Sequence, residues 1–244
     1  MARCVDGAAD ELRKIDSVVP LRCDVTKPDE EMLRIFDVNV FGSHRMTNAF
    51  LPLLVESKGR IVNIGLQGGM LSKKYYGPYT MTKHAIEAYT ETLRLELEPY
   101  GVLARVIQPG GVTTNISAAS HAGTVARFQR AQPPFREEAD AILGYVTAPP
   151  PERATSGDAA AEAEESDTNR RPSSPEIVAV AVCDALFSPT PKLHDLVGTR
   201  WEGYRVLDAL VTKLLDEDDN PKHNYSRDEL IALLDRQIAE RAKT

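Results

Sequence analysis

The sequence predicts an α/β fold built on a parallel sheet, and three observations carry that prediction. A β-type run, Gly59-Arg60-Ile61-Val62-Asn63-Ile64-Gly65, leads through Gly68-Gly69 into a helical stretch that stops at Pro99-Tyr100-Gly101. A second β-type run, Leu103-Ala104-Arg105-Val106-Ile107, follows directly and ends in Gln108-Pro109-Gly110-Gly111-Val112-Thr113-Thr114. A strand, a helix and a strand in that order form a parallel crossover. Ile61 to Ile64 is a short apolar run of the kind that forms a buried parallel strand.

The elements can be taken in order. Residues 7–16 read as a short helix and Val18 to Leu21 as a strand, followed by Asp24-Val25-Thr26. Thr26 with Asp29 makes a capping-box-like start, and Pro28 suits a first helical turn. From Pro28 to Leu54 a helix carries Met32, Leu33, Phe36, Val40, Phe41, Phe50 and Leu54 at mixed spacings of three and four, with Asn39 inside this apolar pattern. The helix after Gly68-Gly69 places Ile86, Tyr89, Leu93 and Leu97 on one face. Residues 115–147 carry no clear period. Pro149 to Pro175 holds almost no large apolar side chains and is expected to be a disordered loop. Pro175 starts a helix with Ile177, Val178, Ala181, Val182 and Leu186. Lys192 to Gly198 reads as a last strand, and Trp201–Leu215 and Arg227–Ala242 as two amphipathic helices joined by a solvated acidic turn at 216–219.

Composition narrows the function. The 244 residues are 42% hydrophobic, enough for one α/β domain. A net charge of −7 argues against nucleic acid and acidic membrane surfaces. No apolar run approaches the roughly 18 residues of a membrane helix. The three cysteines show no paired spacing and the five histidines no metal-ligand spacing, so no metal is expected and a cytoplasmic, reduced protein is the natural reading.

The chemistry centres on Tyr79-Thr80-Met81-Thr82-Lys83. Tyr79 and Lys83 lie four apart, on one face of a helix. A cation beside a phenol favours the phenolate, which predicts a Tyr79 pKa drawn down from about 10 towards the range where acid–base catalysis is efficient. The same spacing also occurs in ordinary exposed helical pairs.

Together with Phe36-Asp37-Val38-Asn39-Val40-Phe41-Gly42, these motifs resemble a short-chain dehydrogenase/reductase of the hydroxysteroid and retinol dehydrogenase branch. The resemblance covers about residues 1–115 and, more loosely, about 175–200. It implies an incomplete Rossmann-like, doubly wound parallel sheet with flanking helices. Residues 1–148 would be the core, 149–175 the disordered loop, and 176–244 the closing helices and last strand of the same domain. It implies NADP(H)-dependent interconversion of a small-molecule alcohol and ketone. Tyr79 would be the acid–base residue, Lys83 its electrostatic partner and ribose contact, and Asn39 the residue that stabilises a helix kink and holds a relay water. Arg3, Asp24 and Val25 would face the adenosine end of the cofactor; Pro109, Gly110, Val112 and Thr114 would face the nicotinamide end. The helices carrying Asn39 and Tyr79 would pair with another subunit.

The sequence departs from the family in three places. Leu66 stands where the family has a serine that hydrogen-bonds the substrate carbonyl; Gln67 and, more remotely, Ser72 are the substitutes nearby. No glycine-rich phosphate turn occurs near the start. Fifteen positions separate Asp24 from Asn39, too few for the strand that the family places there. The expectation is a chain truncated at its N-terminus with an internal deletion, and a remaining sheet whose edge at Ile61–Ile64 is exposed. Three readings stay open: an impaired enzyme, a catalytically inactive dimer partner, or an incomplete gene product.

Overall fold

The computed structural model describes residues 30–69, 71–72, 74–147, 173–218, 222 and 224–242. The expected helix at 7–16, the strand Val18–Leu21, the residues Arg3, Asp24 and Val25, and positions 149–172 of the expected loop lie outside the described residues.

Three parallel strands form the sheet, in the order β1 (Arg60–Ile64), β2 (Leu103–Pro109), β3 (His194–Val197). Arg60 pairs with Leu103 and Ile64 with Ile107; Val106 pairs with His194 and Pro109 with Val197. All three carboxyl ends therefore lie on one edge. Helices α1 (Glu30–Phe36) and α2 (Gly42–Ser57) precede β1. Helix α3 (Gly77–Leu97) makes the crossover to β2, α4 (Ile116–Gln129) and α5 (Arg136–Thr147) follow it, and α6 (Pro175–Phe187) leads to β3. Helices α7 (Arg200–Asp218) and α8 (Arg227–Arg241) close the chain.

The central strand has a core on each face. On one side Ala104 packs with Val102, Leu93 and Leu97, joined by Leu51, Leu54, Ile61 and Tyr89. On the other, Ile107 packs with Val197, Ala181 and Ala185, joined by Val62, Ile177, Val178 and Val182. Ala104 and Ile107 stand three apart on a period-two element, so they must face opposite ways. Arg60 fastens the second layer by donating from Nη1 to the carbonyls of Ala185 (3.1 Å) and Ser188 (2.7 Å), at the negative end of α6.

Several expectations need correction. β1 is parallel but not buried: among the described residues its one neighbour is β2, in line with the exposed edge expected at Ile61–Ile64, and Ile64 is 45% exposed. Only β2 has neighbours on both sides among the described residues, so only β2 is buried along its length. The helix expected over 28–54 is interrupted by a π-helical turn at Asp37–Phe41, where the amide of Gly42 donates to Asp37 O. Leu33, Phe41 and Phe50 on its expected apolar face are exposed. Residues 116–129 and 136–147 are helical, although their sequence shows no period. Asp216 to Asp218 end α7 rather than forming a turn. In α7 Val206 is buried, while Leu207, Val211, Leu214 and Leu215 are exposed.

Candidate active site

The first turn of α3 carries Tyr79 and Lys83 to the carboxyl edge of the sheet. Pro78 sits at the helix start, where its missing N–H costs nothing. Lys83 Nζ donates to Ile64 O, the last carbonyl of β1, at 2.9 Å, and lies 5.7 Å from the centroid of the Tyr79 ring. Both side chains are half-buried. Burial pushes the Tyr79 phenol above its ordinary value of 10.0, which overturns the expectation of a lowered pKa. Desolvation penalises the phenolate, and the ammonium gives its hydrogen bond to a carbonyl. Burial also lowers the Lys83 pKa, opposed by the charge of Glu87.

Asn39 lies in the π-helical turn, and its Nδ2 donates to Thr82 Oγ1 at 3.0 Å. The fully buried Thr82 hydroxyl donates in turn to Tyr79 O at 2.7 Å. This chain ties the kink between α1 and α2 to the turn of α3 that presents Tyr79. π-Turns recur at functional sites because they re-aim one residue within a helix.

The loop after β2 begins at the buried Pro109. Gly110 N donates to Val197 O at 2.7 Å. Val112 forms a parallel bridge with Ser173, whose amide donates to Gly111 O at 2.7 Å. Thr114 is exposed beside this loop. Leu66 is half-buried; Gln67 is buried, and its Nε2 donates to Val197 O at 3.5 Å. Ser72 is exposed. The turn just before Tyr79 is braced by α4 and α5: Tyr75 stacks edge-on with Phe128 at 5.5 Å, and Lys74 Nζ donates to Glu138 Oε1 at 3.0 Å.

Two carboxyl groups at this edge did not stand out in the sequence. Glu87, one turn past Lys83, is buried and accepts from Gln108 Nε2 at 2.8 Å. Glu202 accepts from Gly111 N at 2.6 Å and from Thr199 N at 3.0 Å, while its own amide donates to Thr199 Oγ1 at 3.3 Å. Both left a signal. Lys83-x-x-x-Glu87 is a helical pair, and Thr199-x-x-Glu202 is a capping box at the start of α7.

With this geometry in place, known proteins can be compared. The family described as short chain dehydrogenase matches residues 2–124. The chain belongs to the short-chain dehydrogenase/reductase family. It is similar to a 3β-hydroxysteroid dehydrogenase of Caenorhabditis elegans, 41% identical over 87 residues, which are 36% of this chain and 22% of that protein. It is also similar to the bovine mitochondrial D-β-hydroxybutyrate dehydrogenase, 39% identical over 100 residues, 41% of this chain and 28% of that one. A solved short-chain dehydrogenase from Streptomyces avermitilis shares the fold with a TM-score of 0.52 at 22% identity, covering 89% of this chain and 64% of the other. The match spans less than a third of the length of these two curated relatives.

The family is one of oxidoreductases that act on small-molecule substrates with a nicotinamide cofactor. By the resemblance, Tyr79, Lys83 and the 109–114 loop would face the ribose and nicotinamide end of such a cofactor. A Cβ at Gly110 would collide with the Glu202 carboxylate, so that cradle is already filled by the chain itself. No glycine-rich turn at a helix N-terminus stands among the described residues to take the pyrophosphate. Among the described residues, Glu202 occupies the space beside Gly110, and the groups that would take the pyrophosphate are not present. Among the described residues no cluster could hold a metal ion, and no helix is long and apolar enough to cross a membrane.

Proposed function

We propose that this chain carries the acid–base half of a short-chain dehydrogenase/reductase acting on an alcohol/ketone pair, with NADP(H) as the hydride carrier that the resemblance implies. Tyr79 exchanges the proton with the substrate oxygen, Lys83 holds the cofactor ribose beside it, and Asn39 fixes the Tyr79 turn through Thr82. The observation that carries this reading is the convergence of Tyr79, Lys83 and the Gly110–Thr114 loop at the carboxyl edge of a parallel sheet, where ligands bind in open α/β folds. Leu66 offers no donor to a developing oxyanion, and the Gln67 amide is spent on Val197 O. The 244-residue polypeptide is therefore a weak enzyme by itself and binds the dinucleotide poorly.

Titration of the purified polypeptide with NADPH, followed by fluorescence or calorimetry, tests this. Saturation is expected to lie beyond the micromolar range. A micromolar Kd, roughly −8 kcal/mol, would overturn the weak-binding part of the proposal.

A second reading has its own support. Met46, Phe50 and Leu53 on α2, and Met81 and Leu95 on α3, are exposed apolar side chains. They suit a non-catalytic subunit that pairs with another family member through these two helices. Sedimentation of the wild type against Phe50→Glu distinguishes the readings. A dimer that the substitution splits supports pairing, and a monomer in both removes it.

A further inference from the structure

Lys83 and Glu87 are one helical turn apart on α3 and reach towards the same peptide unit. Lys83 Nζ donates to Ile64 O at 2.9 Å. Glu87 Oε1 lies so close to Gly65 Cα that a Cβ there would collide with it, and a Cβ at Gly69 would come within 2.8 Å of the same oxygen. The two glycines make room for a carboxyl group. Glu87 is 7% exposed; Gln108 Nε2 holds its Oε2, while Oε1 is buried with no hydrogen-bond partner among the described residues. A buried carboxylate with one oxygen unsatisfied is costly unless a cation faces it.

Among the described residues, few titratable groups surround Glu87. On α3 they are Lys83 and Glu91, and on β3 His194, whose Nε2 stands 3.9 Å from Glu87 Oε2 and 3.3 Å from Glu91 Oε1. The contact from β2 is the neutral Gln108, and the contacts from the 65–69 turn are its glycines.

We propose that Glu87 is a positioning residue for the proton chemistry: its carboxylate, lodged between Gln108 and the Gly65–Gly69 turn, keeps the Lys83 ammonium charged. This deepens the reading of Lys83 as the partner of Tyr79 and rests on it. Burial draws the Lys83 pKa down, and Glu87 is the group that pushes it back up. Glu87 itself is raised by burial to about 7. It thus becomes charged before a desolvated lysine would begin to lose its own charge.

The test reads Lys83 directly. The protein is acylated briefly with an amine-specific anhydride across a pH series, and each lysine is quantified by mass spectrometry, with the exposed Lys58 and Lys192 as internal standards. At mildly alkaline pH, Glu87→Gln should raise the Lys83 rate by about threefold or more, because its free-amine fraction rises. Gln108→Met should act in the same direction, since the lost hydrogen bond keeps Glu87 protonated to higher pH. Unchanged Lys83 rates in variants whose circular dichroism matches the wild type overturn the proposal. If neither variant folds, the wild-type profile decides: a break near the Glu87 titration at about pH 7 supports the coupling, and a single smooth step overturns it. Turnover is assayed separately. Altered Lys83 labelling in a protein with no turnover leaves the coupling standing and removes the enzyme reading. Turnover with unaltered labelling removes the coupling alone.

Discussion

Lys83 Nζ donates to the carbonyl oxygen of Ile64 across 2.9 Å, so α3 is pinned by its own catalytic-type lysine to the end of β1. The ammonium is engaged with the sheet, and Tyr79 is left with the desolvation that raises its pKa. The first prediction follows. In the protein without cofactor, the Tyr79 phenol should titrate above pH 10.0, the ordinary value. A tyrosine-ring-labelled sample followed by NMR, with Tyr79→Phe to assign the signal, measures it. A Tyr79 titration midpoint well below the ordinary value would show that Lys83 already activates the phenol.

Glu87 predicts a pH dependence of stability. Its folded-state pKa of about 7 lies above the ordinary 4.5, so the folded protein binds the proton more tightly than the unfolded chain. Stability is then greatest below the ordinary carboxyl pKa and is lost as pH rises through about 7. The loss attributable to this one group is on the order of 3 kcal/mol. Glu87→Gln should flatten the slope and make the protein more stable than wild type at mildly alkaline pH. Denaturant unfolding of both proteins on either side of that window checks it. A wild type that gains stability across the window would mean that Glu87 is solvated.

The order of elements was legible in the sequence because β1, α3 and β2 each state their own period. The apolar runs Ile61–Ile64 and Leu103–Ile107 match the two strands that now pair, and the helix between them buries the expected Ile86, Leu93 and Leu97. Burial was less legible. The apolar run Ile61-Val62-Asn63-Ile64 by itself reads as a buried strand, and its exposed edge was legible only from the missing neighbour strands, which is a long-range fact. Tyr79 and Lys83 could be found by spacing, but their pKa shifts could not. The sign turned on burial of both side chains, which spacing along one helix does not report. The resemblance implied a helix kink at Asn39, but not that it is a π-turn, because one added residue in a helix changes no composition or cap. Glu87 was hidden because its partners, Gln108 and the glycines at 65 and 69, come from other elements.

Asn39 gives a prediction that separates support from proton relay. If its role is to brace the turn through Thr82, Asn39→Ala should cost about 1 kcal/mol of stability, and so should Thr82→Ala, with an added penalty for the small void. The double variant should cost less than the sum, with a coupling of roughly 0.5–1 kcal/mol. Equilibrium unfolding of the four proteins closes the cycle. Strict additivity would show that the 3.0 Å contact between Asn39 Nδ2 and Thr82 Oγ1 contributes nothing.

Leu66 gives the last prediction. By the proposed function it stands after β1 where the family carries a hydroxyl for the substrate carbonyl, and the leucine side chain has no donor. Leu66→Ser should therefore raise kcat/KM for any alcohol or ketone that the protein turns over. Removing one such donor from other enzymes costs about 3–4 kcal/mol. That figure is a ceiling, because the half-buried leucine also packs and its loss loosens the turn; a gain of roughly tenfold is expected. Gln67→Ala is the control. Its amide points to Val197 O at 3.5 Å and not into the site, so the substitution should leave turnover within about twofold while weakening the turn slightly. Tyr79→Phe in the Leu66→Ser background should abolish the gain, since the ring remains and the proton is lost. A Gln67→Ala variant that loses activity while Leu66→Ser gains none would assign the donor role to Gln67. Turnover that survives Tyr79→Phe would show that the phenol takes no part in the chemistry.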